Sequence, residues 1–319
     1  MDLAGILSYL AFFIIMAGIY GIASLGLNVQ WGYTGLFNVG IAASFAIGAY
    51  TSAILTTPYS QQYLGGFGAP ILAGWLGGTV AAGLGAVLVG VPTLRLTGDY
   101  LAIVTLGIAG TIMLVIRNEG WLANGVWGIR DIPQPLHRLV SPSNYVWIYM
   151  VLVLALLLGT YLFIEKCLRS PWGRTLRAIR EDEIAASAIG KNVFSFKMQS
   201  LVLGSMVIGL AGALYAHFIR YVSPDTFNPI MGTFIVWIML TVGGKGNNLG
   251  AILGAFVVWA IWVGTEFLIT SLPAALTTRA GFIRVILISV LLEFVLLKRP
   301  QGLIGERKLV IPQAPSKSK

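Results

Sequence analysis

The chain has 319 residues, of which 57% are hydrophobic and only 10% are charged, and its mean hydropathy is +0.83. A soluble domain of this size would carry a far more charged surface, so these values exclude a soluble globular protein and indicate an integral membrane protein. The net charge of +9 would suggest a nucleic-acid partner only in a soluble chain; here its distribution among the loops is what matters, and no nucleic acid is expected.

Apolar runs long enough to cross a hydrocarbon layer of about 30 Å as helices recur along the whole sequence. The runs are continuous and do not alternate, which favours helices over barrel strands. We predict an all-α integral membrane protein, a polytopic bundle of about 8–10 transmembrane helices within one domain at residues 1–305, with some helices short or broken. The predicted spans are 4–27, 36–57, 70–93, 99–117, 145–167, 199–220, 230–244, 249–271 and 281–297.

The basic residues predict the orientation of the bundle. If residues 168–198 are cytoplasmic, fifteen lysines and arginines lie on the inner side, five lie on the outer side, and Arg284 lies within the last span. This positive-inside bias predicts an outer N-terminus and a cytoplasmic C-terminus in a multi-pass protein. Residues 118–144 are then an outer loop, expected to be ordered with little helix, and 306–319 are a basic cytoplasmic tail expected to be disordered.

Two predicted spans are irregular. Residues 32–50 mix glycine, asparagine, serine and threonine into an apolar run, and residues 230–244 provide only about 22 Å of helix. Transporters break short or glycine-interrupted helices to line a pathway. Close helix packing explains the same composition, as it does for the glycine-rich run 74–90, so both interpretations stay open.

The residues that most enzymes and ion-coupled carriers need are scarce. His137 and His217 are the only histidines, and neither has carboxylates or cysteines at the spacing of a metal site. No sequence matches the phosphate-binding P-loop, so this chain is not expected to bind ATP or any other cofactor. Among the acidic residues of the predicted spans, Glu266 and Glu293 lie near span ends, which argues against a proton or sodium relay.

The segment 168–198 is the polar exception. Ser170 and Pro171 are typical of a helix start, and Gly190 is typical of a helix end, so one or two short helices are predicted between them. Arginines recur at three-residue spacing before an acidic cluster, and a run of small residues, 185–188, follows. Topology explains the arginines, whereas small side chains on an exposed helix favour insertion into a groove of another protein.

In this segment and beyond, the sequence resembles the inner-membrane permeases of ABC importers of the branched-chain amino acid type. The matching segments are SLGLNVQWGYTGLFNVGIAASFAIGAYTSAIL, PTLRLTGDYLAIVTLG, RAIREDEIAASAIGKN, GLAGALYAHFIRYVSPDTF, TVGGKGNNLGAILGA and RPQGLIG. The resemblance implies location in the bacterial inner membrane and a second homologous permease that shares the translocation path. It also implies two cytoplasmic ATPase subunits, which use ATP and Mg, and an external binding protein that delivers substrate.

The resemblance makes 168–198 a coupling loop, on which the ATPase subunits dock. Its small-residue core is carried by Ala185, Ala186 and Gly190, whereas Ile184 stands where the family motif has glutamate and Glu183 lies one position earlier. The predicted coupling residues are Arg180, Glu181, Asp182, Glu183, Ala185, Ala186 and Gly190. Our own hypothesis for the translocation path is a lining of small and neutral polar groups, namely Asn28, Thr34, Asn38, Ser44 and Thr105.

Three functions remain open at this point. The first is import of branched-chain or other neutral amino acids, and the second is import of urea or short amides by the same architecture. The third is an ion-coupled secondary carrier acting alone, which would need buried ionisable residues and no docking helix. An integral-membrane enzyme would need a polar constellation facing a cavity, and the sequence offers none.

Overall fold

The computed structural model describes residues 3–96, 98–137, 144–270 and 280–306, and this part of the chain is helical, with one isolated backbone bridge between Ile129 and Val222. The helices are α1 (Leu3–Leu27), which continues as a π-helix (Asn28–Tyr33), α2 (Ile41–Thr56), α3 (Ile71–Thr93), α4 (Asp99–Asn118), α5 (Gly120–Ala123), α6 (Tyr145–Arg169), α7 (Pro171–Glu181), α8 (Glu183–Ala188), α9 (Val193–Ile219), α10 (Ile235–Gly243), α11 (Asn248–Thr270) and α12 (Ala280–Lys298). A second π-helix (Ile230–Phe234) precedes α10, and short 3₁₀ helices occupy Gly125–Trp127 and Pro224–Phe227.

The predicted class, an all-α polytopic membrane protein, is confirmed. Among the described residues, six helices are long and apolar enough to cross a membrane, and Ile41–Thr56 and Ile230–Gly243 form shorter apolar helices. Every predicted span corresponds to a helix, although two begin elsewhere: the second starts at Ile41, because the chain before it is not helical, and α9 starts at Val193, before the predicted residue 199.

Glycines bring the central helices into contact. A Cβ atom on Gly48 of α2 would overlap the backbone of Gly209 in α9, and one on Gly78 of α3 would lie 2.5 Å from the carbonyl oxygen of Gly48. Backbones this close leave no room for side chains, which is how small residues pack helices where lipid removes the hydrophobic driving force. The packing role predicted for the glycines of 74–90 is therefore confirmed at Gly78.

The predicted coupling loop, 168–198, forms two short helices, where one or two were predicted, and its docking role stays a prediction. Pro171 occupies the first position of α7, and Gly190 has a φ of +80°, which suits glycine after a helix end. The two helices lie at the end of the bundle where the first π-helix finishes, since Arg180 of α7 hydrogen-bonds the carbonyl oxygen of Gly32. We call this the α7 end; Glu306 also lies there, whereas α1 begins at the opposite end.

The opposite end carries the predicted loop 118–144. Over its described part, residues 118–137, it contains only the single turn α5 and the 3₁₀ helix, in agreement with the prediction of an ordered loop with little helix. Residues 138–143 lie outside the described residues, as do Arg279, nearly all of the tail predicted to be disordered (307–319), and the side chains of Glu266 and Arg284.

Candidate functional site

Two interruptions of the helical backbone occur at the two spans that the sequence marks as irregular. The first comprises the π-helix Asn28–Tyr33 and the non-helical chain up to Gly40, where Gly35 has a φ of +76°. The second runs from Pro224 through the π-helix Ile230–Phe234. Breaks of this kind within a membrane are tolerated only where other protein groups satisfy the backbone, and π-helical turns are frequent at functional sites.

Each interruption contacts the helix that follows the other. Trp237 Nε1 of α10 donates a hydrogen bond to the carbonyl oxygen of Asn38 at 3.2 Å, and the backbone N–H of Ala42 in α2 donates to Thr233 Oγ1, also at 3.2 Å. The Trp237 ring lies 4.2 Å from Trp31 and 4.7 Å from Phe37, measured between ring centroids. A displacement of either segment therefore acts directly on the helix that continues from the other.

The predicted path residues Thr34 and Asn38 belong to a buried polar network. Asn38 Nδ2 donates to Gln30 Oε1 at 2.9 Å, and Gln30 Nε2 donates to the Leu201 carbonyl oxygen and to Ser205 Oγ. Thr34 Oγ1 lies 2.6 Å from Ser200 Oγ on the same face of α9. Gln30 is not among the predicted path residues, although a glutamine within an apolar span is a signal of a buried polar contact.

Asn28 connects the first interruption to α11. Its Nδ2 donates to Asn248 Oδ1 at 2.9 Å, and its Oδ1 accepts from the backbone N–H of Gly246 at the same distance. Asn248 in turn donates to Glu165 Oε2 at 2.8 Å. Asn28 is fully buried, so each of these bonds removes the cost of an unpaired polar group in the bundle.

The remaining path residues, Thr105 and Ser44, are also buried. Thr105 Oγ1 accepts from the backbone N–H of Val39 at 3.1 Å, so α4 holds the non-helical part of the first interruption. None of the five predicted path residues lines the four cavities described for this chain. In this conformation Asn28, Thr34, Asn38 and Thr105 support the interrupted backbone, and a role in lining a path stays a prediction.

The coupling loop is fastened to the bundle by its acidic residues. Asp182 Oδ1 accepts from the backbone N–H of Ala185 at 2.9 Å and so caps α8, while Glu183 forms an ion pair with Lys197 of α9 at 2.6 Å. The displaced glutamate thus has a partner within its own chain. Gly190 N donates to the carbonyl oxygen of Ser187 and completes the turn after α8.

The small-residue patch has an inner and an outer face. Ala186 is only 2% exposed, so it packs inside the chain and does not belong to an outward docking surface, which corrects the picture of a uniformly exposed patch. The reason is helical geometry, because at 3.6 residues per turn one position of α8 must face the bundle. Ile184 and Ile189 are 83% and 73% exposed, and they flank the exposed Ala185.

Arg180 lies at the junction of three parts of the chain. Its Nη1 donates to the Gly32 carbonyl oxygen, and its Nη2 pairs with Glu306 at 2.9 Å and with Glu181 at 2.7 Å. Burial disfavours the charged guanidinium, but the hydrogen bonds with Glu181 and Glu306 outweigh it and raise the pKa of Arg180 above its ordinary value. Arg180 therefore stays charged and ties the coupling loop to the first interruption.

The C-terminal segment 299–306 completes this junction. The backbone N–H groups of Leu303 and Ile304 donate to the carbonyl oxygens of Val242 and Gly243, at 2.8 and 3.0 Å. Gly244 has a φ of +114°, and a Cβ atom there would overlap the Ile304 carbonyl oxygen. Only glycine fits at this position, which explains the GGKG turn between α10 and α11. This contact was not predicted from the sequence.

Comparisons with known proteins agree with the architecture. The family described as branched-chain amino acid transport system / permease component matches residues 9–295. A probable branched-chain amino acid transport permease protein LivM of Methanocaldococcus jannaschii is 28% identical over 92% of this chain and 93% of its own length. The high-affinity branched-chain amino acid transport system permease proteins LivM of Salmonella typhimurium and Escherichia coli are each 34% identical over 75% of this chain.

The extent of these matches differs between relatives. The alignments cover 60% of the Salmonella protein and 59% of the Escherichia protein, so this chain spans about three fifths of the length of those two relatives. No solved structure gives a significant match.

Proposed function

Because this chain belongs to the family of branched-chain amino acid transport permeases, we propose that it is a membrane-spanning subunit of an ABC importer for branched-chain amino acids. It forms the translocation path together with a second, homologous permease. Two cytoplasmic ATPase subunits drive the cycle with ATP and Mg, and an external binding protein delivers the substrate. The names of the relatives, which specify branched-chain amino acid transport, support this cargo.

The observation that carries the proposal is the junction at Arg180. In an importer driven by separate ATPases, force on a docking loop must reach the gate of the path through packed, hydrogen-bonded groups. Arg180 lies in α7 of the predicted coupling loop and bonds directly to Gly32, at the end of the first helix interruption. Asn38 of this interruption accepts a hydrogen bond from Trp237 of α10, the helix that follows the second interruption. These contacts supply a continuous connection from the loop to the first interruption and to α10.

The proposal includes an orientation in the bacterial inner membrane. Residues 171–190 and Glu306 share the α7 end, and α1 starts at the other end. With the basic α7 end placed in the cytoplasm, the N-terminus lies outside and the C-terminus inside, as the positive-inside rule requires. The loop 118–137 and the ion pair of Arg117 with Asp225 then face the binding protein.

The ATPase subunits dock on the outer face of α8 in this proposal. Two large apolar side chains at a water-exposed helix pair, Ile184 and Ile189, are typical of contacts that a partner covers. Docking there leaves Glu183 free to hold α8 on α9 through Lys197, so motion of α8 is passed to α9.

Acidic substitution of the two isoleucines tests the docking surface. We expect Ile184→Asp and Ile189→Asp to leave the chain inserted in the membrane and to prevent ATPase subunits from co-purifying, because a charge cannot be buried unpaired in an apolar interface. Leu64→Asp, the same kind of change at an exposed leucine on the opposite side of the bundle, is the matched control. Full co-purification of the ATPases with both isoleucine variants would contradict the docking assignment.

The cargo and the energy source are tested by reconstitution. The two permeases, the ATPases and the binding protein are placed in liposomes, and uptake of labelled leucine, isoleucine, valine and urea is measured with ATP inside. We expect ATP-dependent uptake of the three amino acids that survives a protonophore and a sodium ionophore. Uptake of urea alone would favour the amide-importing alternative, and uptake that collapses with the ionophores would favour an ion-coupled carrier.

A further inference from the structure

A cavity of about 400 Å³ lies between α4 and the second interruption, at the end of the bundle opposite α7. Its walls are largely apolar and include Leu106, Ala109 and Met113 of α4 and Phe227 and Phe234 of the facing segment. The volume is within the range of about 300–1,000 Å³ that is usual for pockets that bind small molecules. Its volume and apolar walls suit an aliphatic side chain.

The charged residues of this cavity are one cation and one anion. Arg117 is in the last turn of α4, Asp225 is in the 3₁₀ helix Pro224–Phe227, and the two form an exposed ion pair through Nη2 and Oδ1. An exposed ion pair contributes little to stability, so a ligand that brings its own carboxylate and ammonium groups can replace it at small cost. One charge of each sign is the complement of a zwitterion.

The inner part of the cavity reaches the second interruption and the start of α2, the helix that follows the first interruption. Ala42 and Thr233 both line it, and the backbone N–H of Ala42 donates to Thr233 Oγ1. A side chain that fills the cavity therefore contacts the second interruption and α2 at once. Binding sites formed by discontinuous helices are the arrangement that lets transporters link occupancy to movement.

We propose that this cavity admits a zwitterionic amino acid with an apolar side chain, which Arg117 holds by the carboxylate and Asp225 by the ammonium group while the side chain enters the cavity. The assignment rests on the proposed function and specifies where the cargo first contacts this chain. Urea carries no net charge and forms an ion pair with neither residue, so the site binds it less strongly than a zwitterion. The side chain then lies against Phe227 and Phe234, at the second interruption.

The chain provides a matched pair of glycines for a test. Gly110 lines the cavity, Gly107 lies on the same helix outside its lining, and a Cβ atom on either would meet no atom within 4 Å. Valine at position 110 adds volume inside the cavity, and valine at position 107 adds the same volume beside it. At neither position does the added Cβ atom touch the described part of the chain.

The experiment measures uptake by the complete reconstituted importer, compared at equal amounts of assembled complex. We expect Gly110→Val to lower leucine uptake at least tenfold and valine uptake less, so that the leucine-to-valine ratio falls, while Gly107→Val changes both less than twofold. Arg117→Gln and Asp225→Asn are each expected to lower uptake of both amino acids at least tenfold.

Two results separate the site from the function on which it rests. If the wild-type importer takes up leucine and Gly110→Val behaves like Gly107→Val, or lowers leucine and valine uptake equally, the site assignment is wrong and the proposed function stands. The same holds if Arg117→Gln and Asp225→Asn transport like wild type. If the wild-type importer takes up no amino acid, the proposed function itself fails.

Discussion

Replacing Arg180 by glutamine should loosen the junction between the coupling loop and the first helix interruption. The charge-assisted hydrogen bond to the Gly32 carbonyl oxygen contributes about 1.5 kcal/mol at the low end of the usual range. The pair with Glu306, whose side chains are 20% and 33% exposed, contributes about 1 kcal/mol. The bond to Glu181, which is 72% exposed, adds little. We therefore expect Arg180→Gln to cost roughly 2–3 kcal/mol of local stability.

Amide hydrogen exchange measures this loss directly, because it reports the free energy of local opening. A loss of that size makes exchange roughly 30- to 150-fold faster at the amides of Gly35, Leu36, Leu303 and Ile304, which are hydrogen-bonded beside the junction. Arg174→Gln is the matched control, since Arg174 is an exposed arginine of the same helix. Equal exchange rates at these amides in the two variants would refute the reasoning.

Three further substitutions test the packing around the site, each followed by thermal unfolding in detergent. Gly48→Ala should lower the unfolding midpoint, with a cost of about 1–3 kcal/mol, because the added methyl group overlaps the backbone of Gly209. An unchanged midpoint would mean that α2 and α9 can move apart without any loss of stability. His217→Ala should cost about 1–3 kcal/mol, because the buried Ser52 hydroxyl and the half-buried Pro133 carbonyl oxygen lose their hydrogen bonds to the imidazole ring. His137→Ala, at an exposed site, should leave the midpoint unchanged. Asn28→Ala should cost a similar amount, about 1–3 kcal/mol, and a midpoint equal to wild type would exclude its bonds to α11 as a source of stability.

The sequence determined the parts of this protein that depend on local order. A run of apolar residues long enough to span a bilayer must be helical there, because the hydrocarbon layer leaves backbone groups no other partner. The spans, the two irregular segments and the short helices between Ser170 and Gly190 were therefore readable from residue order alone. So was the family, since the joint order of six matching segments is a linear property of the chain.

Even local patterns failed where the direction of a side chain mattered. The small residues of the run 185–188 predict one uniformly exposed patch. In the structure Ala186 faces the bundle, and Ile184 and Ile189 provide the exposed apolar surface of α8 and the turn after it. Composition gives the size of a side chain but not the face of a six-residue helix on which it lies, because that face is fixed by where the helix packs.

Only the tertiary structure decided which polar groups meet. Asn28 bonds to Asn248 across 220 residues of sequence, and Arg180 reaches Gly32 and Glu306 across 148 and 126 residues. No periodic pattern in the sequence predicts such pairs. Each pair forms because the close packing of glycines and apolar side chains places two distant helices side by side. The same packing buries the five predicted path residues. It also forms the cavity at Arg117 and Asp225, because a cavity is enclosed by several helices together and not by any one of them.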